Sequence, residues 1–229
     1  MRLLAFDTAG IGCSAGVFAA GRPLALRVAE DGPGHAERLP RLIEAVLAEA
    51  SLELDDLDGL AVTVGPGSFS GIRTGLAAAR GLALATGLRT MPVTTLEALA
   101  APWHDRTTAA LPLAAVLDAR RGQVFLQRFA ADGRPLDRPQ ALAPAAAAAR
   151  LDGPVRLVGN GAAGLLPYLD QPVQHLGDGR LDAGGVALAA ERALSRGGAA
   201  VGGFELHPCY ARGADARPGA GRPLVDVGT

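Results

Sequence analysis

The apolar positions of the first hundred residues follow two different periods. Residues 2–8, 13–20 and 23–29 are short apolar runs punctuated by Gly10, Gly12 and the pair Gly21-Arg22, which predicts three strands in an antiparallel meander with short hairpin links. Over residues 37–50 the spacing lengthens. Leu39, Leu42, Ile43, Val46, Leu47 and Ala50 recur at steps of three and four, while Glu37, Arg38, Arg41, Glu44 and Glu49 take the other faces. This is the pattern of an amphipathic helix. Pro40 lacks an N–H and is tolerated only near a first turn, so the helix is expected to begin around Ala36.

Residues 60–64 form a β-branched apolar run that leads into Gly65-Pro66-Gly67-Ser68-Phe69-Ser70-Gly71, and a helical pattern follows over 72–86. Within that helix Gly71, Gly75 and Ala79 recur every four residues. Glycine inside a helix costs roughly 1 kcal/mol relative to alanine, so this smooth stripe implies close approach by another backbone. Residues 90–94 read as a fifth strand and 96–101 as a helix, which completes the order of a ribonuclease-H-like lobe over residues 1–103. A hairpin over 111–117 and 123–130 opens a second, shortened lobe at residues 104–211. That lobe continues with a weak helix at 144–150, a strand at 155–158 and a final helix at 183–196. The stretch 212–229 is rich in Gly, Pro and Ala without periodicity and is expected to be a flexible tail.

Composition narrows the functional classes. The 229 residues are 49% hydrophobic, enough for a sizeable core, and the net charge of -1 gives no overall field for nucleic acid or an anionic membrane. No apolar run reaches transmembrane length, and the N-terminal run stops at Asp7, too soon for a secretory segment. The two cysteines, Cys13 and Cys209, form no ligand or disulfide spacing, which fits a reducing cytoplasm.

Three places carry candidate chemistry. Asp7 and Thr8 end the first strand before a glycine hairpin, where they either face phosphates or close the hairpin through side-chain to backbone bonds. The loop of Gly65, Gly67, Ser68, Ser70 and Gly71 either converges backbone N–H groups on an anion at a helix N-terminus, with Arg73 adding charge, or is a tight turn capped by Ser68 or Ser70. It is not a Walker A loop, because Ile72 and Arg73 stand where Lys and Ser/Thr are required. His35 is followed four residues later by Leu39, which offers no ligand atom, so no metal site is expected and His35 reads as a helix-entry or interface residue. No GxSxG nucleophile elbow is present, and Asp55, Asp56 and Asp58 read as a solvated turn.

Taken together, Leu4-Ala5-Phe6-Asp7-Thr8, His35-Ala36-Glu37-Arg38-Leu39, the segment from Gly65 through Arg73-Thr74-Gly75-Leu76, and Thr94-Thr95-Leu96-Glu97-Ala98-Leu99 resemble the TsaB (YeaZ) family. Asp118-Ala119-Arg120-Arg121-Gly122-Gln123-Val124-Phe125, Gly159-Asn160-Gly161 and Pro208-Cys209-Tyr210-Ala211-Arg212 extend the resemblance over nearly the whole chain. It implies an α/β, actin-like (ASKHA, ribonuclease-H-like) fold of two lobes with a reduced second lobe. It also implies a non-catalytic, cytoplasmic subunit that activates a TsaD-like catalytic paralogue, together with a TsaE-like P-loop ATPase, in threonylcarbamoylation of adenosine 37 in tRNAs reading ANN codons. The paralogue's metal-binding His-x-x-x-His corresponds here to His35 and Leu39. Further implications are tRNA contact only through the complex, and ATP or ADP only in the assembled complex with none on the chain alone; an exposed helix pair would also allow a C2 homodimer when the partner is absent. The expected partner interface is the helix pair, with His35, Leu39, Leu42, Ile43 and Val46 on the first and Ile72, Gly75, Leu76 and Ala79 on the second. Two readings compete with this one: an ATP-dependent enzyme using Asp7 and the glycine loop, and a glycoprotease-like metallopeptidase.

Overall fold

The computed structural model describes residues 1–10, 12–29, 34–104 and 111–211; the expected flexible tail at 212–229 lies outside the described residues. Strands β1 (Arg2–Asp7), β2 (Cys13–Ala19) and β3 (Arg22–Ala29) form the antiparallel meander, and β4 (Gly59–Gly65) and β5 (Thr90–Thr94) add in parallel. The resulting sheet has the order β3-β2-β1-β4-β5. Because β1 is its central strand and is covered on both faces, Leu3, Leu4, Ala5 and Phe6 are all buried, and a continuous apolar run replaces polar alternation.

Helices α1 (His35–Ala50) and α2 (Phe69–Thr86) cover one face of this sheet. Leu39, Ile43 and Val46 of α1 and Ile72, Leu76 and Ala79 of α2 share a core with Leu4, Phe6, Val17 and Val62. The first helix starts one residue before the expected position and carries Pro40 inside it, exposed to solvent. The second begins three residues earlier than its apolar period indicated, because the Ser68 side chain accepts from the Gly71 N–H at 3.3 Å and caps it.

The second lobe repeats the first. Strands β6 (Leu113–Arg120), β7 (Gln123–Phe129), β8 (Gln140–Leu142), β9 (Val155–Val158) and β10 (Val173–His175) form a sheet of order β10-β9-β6-β7-β8, the same connectivity again. Strands β8 and β10, three residues each, are too short to leave a period in the sequence. The lobe is therefore reduced in its helices and not in its sheet. Helix α4 (Pro144–Ala148) has five residues where α1 has sixteen, and a 3-10 run at Ala162–Tyr168, with Pro167 inside it, stands in the place of α2.

The last helix of each lobe packs on the opposite lobe. In α3 (Thr95–Ala100), Leu96, Leu99 and Ala100 lie against Leu113, Ala115, Phe129 and Val158 of the second sheet. In α5 (Ala183–Ser195), Ala183, Val186, Ala187 and Ala190 cover Leu3, Ala5, Phe18 and Ala61 of the first. The two helices cross closely: a Cβ on Gly185 would lie 2.3 Å from the Ala98 carbonyl oxygen. Thr94 tightens the junction, since its hydroxyl accepts from the Glu97 N–H at 3.1 Å and donates to buried Gln127 of β7 at 2.9 Å.

Candidate functional site

Strand β1 delivers Asp7 to the mouth of the first lobe, where it is buried. Its carboxylate accepts from the Ala9 N–H at 3.0 Å, the Gly10 N–H at 3.4 Å and the Thr63 hydroxyl at 2.5 Å. Asp7 thus closes the hairpin and ties it to β4. Burial pushes its pKa up to about 6, although these three donors and nearby His35 oppose the rise.

The turn that Asp7 shapes is the surface on which the glycine loop and α2 rest. Ser68 N–H donates to the Ala9 carbonyl at 2.9 Å, and the Thr8 hydroxyl donates to the Gly71 carbonyl at 2.8 Å. A Cβ would come within 2.3 Å of the Ala9 oxygen at Gly67, 1.9 Å of the Thr8 oxygen at Gly71 and 2.6 Å of the Thr8 hydroxyl at Gly75. The backbone that the small-residue stripe admits is the chain's own β1–β2 turn, which corrects the expectation of a partner helix there. The same contacts engage the N–H groups of Ser68 and Gly71, so those two are not directed at an anion.

The expected interface residues require a second correction. Leu39, Ile43, Val46, Ile72, Gly75, Leu76 and Ala79 are buried in the chain's own core, and Leu42 is partly buried against it. The apolar stripes that marked these helices are the stripes that cover the sheet. What they present outward is different: Glu37, Pro40, Arg41 and Glu44 on α1, and Phe69, Arg73, Ala77, Arg80 and Leu84 on α2. Phe69 is 58% and Leu84 73% exposed. The Arg73 guanidinium lies 3.9 Å over the Phe69 ring, and Tyr210 stacks on that ring at 5.9 Å.

The segment after α5 runs along α2 as a strap. Cys209 N–H donates to the Val64 carbonyl at 2.7 Å, Arg80 donates to the Leu206 carbonyl at 2.5 Å, and Phe204 is left 82% exposed. The sequence placed Phe69 in a loop and assigned Tyr210 no role. The one available signal was a large aromatic side chain inside a Gly/Ser-rich turn.

His35 is half-buried at the start of α1 and lies against the same junction, its Nδ1 3.3 Å from where a Gly71 Cβ would stand. Among the described residues no group of three His, Cys, Asp or Glu side chains could hold a metal ion. No helix among them is long and apolar enough to cross a membrane.

Between the lobes lies an open cleft of about 1260 Å³. The β1–β2 turn, the glycine loop and His35 form one wall, the β6–β7 turn with Asp118 and Arg120 forms the other, and Thr95 and Leu99 of α3 contribute where the lobes meet.

Two lobes of one repeated strand order, joined by exchanged helices and facing each other across a cleft, define an α/β protein of the actin-like (ASKHA) class. A Thermus thermophilus ROK hexokinase shares this fold with a TM-score of 0.53 at 18% identity. The chain belongs to the family described as TsaD, tRNA N6-adenosine threonylcarbamoyltransferase, whose model matches residues 31–163. It is similar to the tRNA threonylcarbamoyladenosine biosynthesis protein TsaB of Escherichia coli, with 35% identity over 136 residues covering 58% of this chain and 56% of that protein. The corresponding protein of Haemophilus influenzae is 33% identical over 128 residues, covering 56% of this chain and 53% of that one. The chain thus spans little more than half the length of the curated relatives it matches; the first of them, an uncharacterized Mycobacterium bovis protein, is covered over 58% of its length. YeaZ from Pseudomonas aeruginosa aligns over 91% of this chain and 99% of its own, with a TM-score of 0.79 at 28% identity.

Proposed function

We propose that this chain is a non-catalytic, cytoplasmic subunit of tRNA threonylcarbamoyladenosine synthesis that binds and activates a TsaD-like catalytic paralogue. The observation that carries the reading is the outward face of α1 and α2, where Phe69 and Leu84 stand exposed toward the two ends of α2 with Arg73 and Arg80 between them, and Glu37 and Glu44 are exposed on α1. Exposed large apolar side chains interspersed with charged ones are the composition of a protein interface. The partner contact is accordingly assigned to this face and not to the buried stripes. Leu39, in the place of the paralogue's second histidine, is enclosed in the core and offers no ligand atom.

A TsaE-like ATPase, and tRNA held only by the complex, complete the assembly in this reading, and the outward face also accounts for a homodimer when the partner is absent. The ATP-dependent alternative is weakened because the turn formed by Thr8 and Ala9 fills the space beside the loop glycines. The test is co-purification with the cognate TsaD-like protein, followed by a tRNA modification assay with and without this chain. The proposal requires a stable pair, modification that depends on it, and no turnover by this chain alone. Turnover by the isolated chain would overturn it.

A further inference from the structure

We propose that the strap after α5 is the third element of the partner-binding face, with Phe204 as the anchor that enters an apolar pocket on the catalytic partner. The strap adds a segment from the far end of the chain to the face of α1 and α2 assigned above, and the proposal rests on that assignment. Helix α1 packs on β2 and β3, and α2 packs on β4. The strap joins the β5 edge, where Val201 and Thr90 exchange both backbone hydrogen bonds at 2.9 Å. It therefore flanks α2 on the side away from α1. Helix α2 becomes the middle of the face, and its exposed Phe69, Arg73 and Leu84 lie between two flanks.

The strap is pinned on both sides of Phe204. Arg89 donates to the Ala200 carbonyl at 2.9 Å, Gly202 N–H to the Glu205 carboxylate at 2.7 Å, and Arg80 to the Leu206 carbonyl at 2.5 Å. Leu206 is fully buried in the core of the first lobe. Gly203 lies so close to α2 that a Cβ there would stand 3.1 Å from the Ala83 side chain. Phe204 is nevertheless the most exposed large apolar side chain among the described residues. A bare ring on a fixed backbone loses little freedom when a partner covers it, and such rings are where hot spots fall. Apolar side chains scattered singly over a surface need no explanation, but these are not single. The strap brings one aromatic residue toward each end of α2: Tyr210 stacks on Phe69, and Phe204 follows the glycine that packs on Ala83, next to Leu84. Charge defines the other side of the contact. The only charged residues of α2 are Arg73 and Arg80, so the complementary surface is an apolar pocket with an acidic rim.

The experiment is calorimetric titration of the full chain with the cognate TsaD-like protein, alongside melting temperatures of each variant alone. Phe204→Ala is expected to weaken the pair about thirtyfold, the loss typical of a hot-spot residue, and to leave the melting temperature unchanged. In hydrogen exchange the Val201 and Cys209 amides, both bonded to the first lobe, should be more protected in the complex than in the free chain. Wild-type affinity in Phe204→Ala, with Leu84→Glu still impaired, would overturn the role of the strap and leave the reading of α1 and α2 standing. Unchanged exchange at both amides would also overturn it, as would a fall in affinity matched by a fall in melting temperature, which would assign Phe204 to folding. Failure of the unaltered chain to pair at all would overturn both readings together.

Discussion

Gly71→Ala tests the docking of α2 on the β1–β2 turn. The new methyl group would stand 1.9 Å from the Thr8 carbonyl oxygen, and contacts under 3.0 Å essentially never occur. Something must therefore move by about 1 Å, and neither side is free to do so. Thr8 is fully buried and its hydroxyl is bonded to the Gly71 carbonyl, while Asp7 pins the turn from beneath. Overpacking a tight site costs about 1–3 kcal/mol, and a backbone obstacle puts this one at the upper end. The opposing gain in helix propensity is at most about 1 kcal/mol, and less in a first turn.

The clash wins, with a net loss of about 2 kcal/mol, or about 4–8 °C in melting temperature for a chain of this size. Gly81→Ala in the same helix is the control. Nothing lies within 4 Å of its Cβ position, so the propensity gain stands alone and should raise the melting temperature by about 2–4 °C. Gly75→Ala should fall between them, because the atom it meets, at 2.6 Å, belongs to the Thr8 side chain. Thermal unfolding by circular dichroism reads all three. If Gly71→Ala melts at or above wild type, the proposed wedge of turn against helix is wrong.

Other outcomes follow from the same contacts. Val46→Glu places a charge in the core and should unfold the chain, whereas Leu84→Glu on the outward face should shift stability by no more than about 0.5 kcal/mol yet weaken partner capture; paired melting and co-purification experiments separate the two effects. Asp7 has a folded pKa raised from 3.8 to about 6, so its contribution is fully present below pH 3.8 and is lost as pH rises toward 6, amounting to about 3 kcal/mol at most. In Asp7→Asn that part of the stability–pH curve should flatten, as urea titrations at pH 4 and pH 7 would reveal. Thr94→Ala removes a helix cap and leaves the Gln127 oxygen unpaired, costing about 2 kcal/mol in chemical denaturation.

How far the sequence carried depended on element length and on what each pattern encodes. The first lobe was legible nearly to the residue at β5, Thr90–Thr94, and in the second lobe β9 at Val155–Val158 also matches its expected bounds. Periodicity says that a stripe is apolar but not what covers it, and so Leu39, Val46 and Ala79 were assigned to a partner although they line the chain's own sheet. The glycines at 71 and 75 did signal a close approach, but the Thr8–Ala9 turn that makes it lies some sixty residues earlier in the chain.

The exchange of α3 and α5 between the lobes also sets an order of events during synthesis. The face of the first sheet that carries Leu3, Ala5 and Ala61 has only Ala98 and Ala101 against it until residues 183–195 supply the rest of its cover. Contacts at such separation in the chain are slow to close. The nascent first lobe therefore leaves the ribosome with a largely uncovered apolar sheet face, open to chaperones or to misassociation until the last helix arrives. A break near residue 103 would give two fragments, each lacking the helix that completes its sheet, so the chain is expected to unfold as one cooperative unit despite its two-lobed outline.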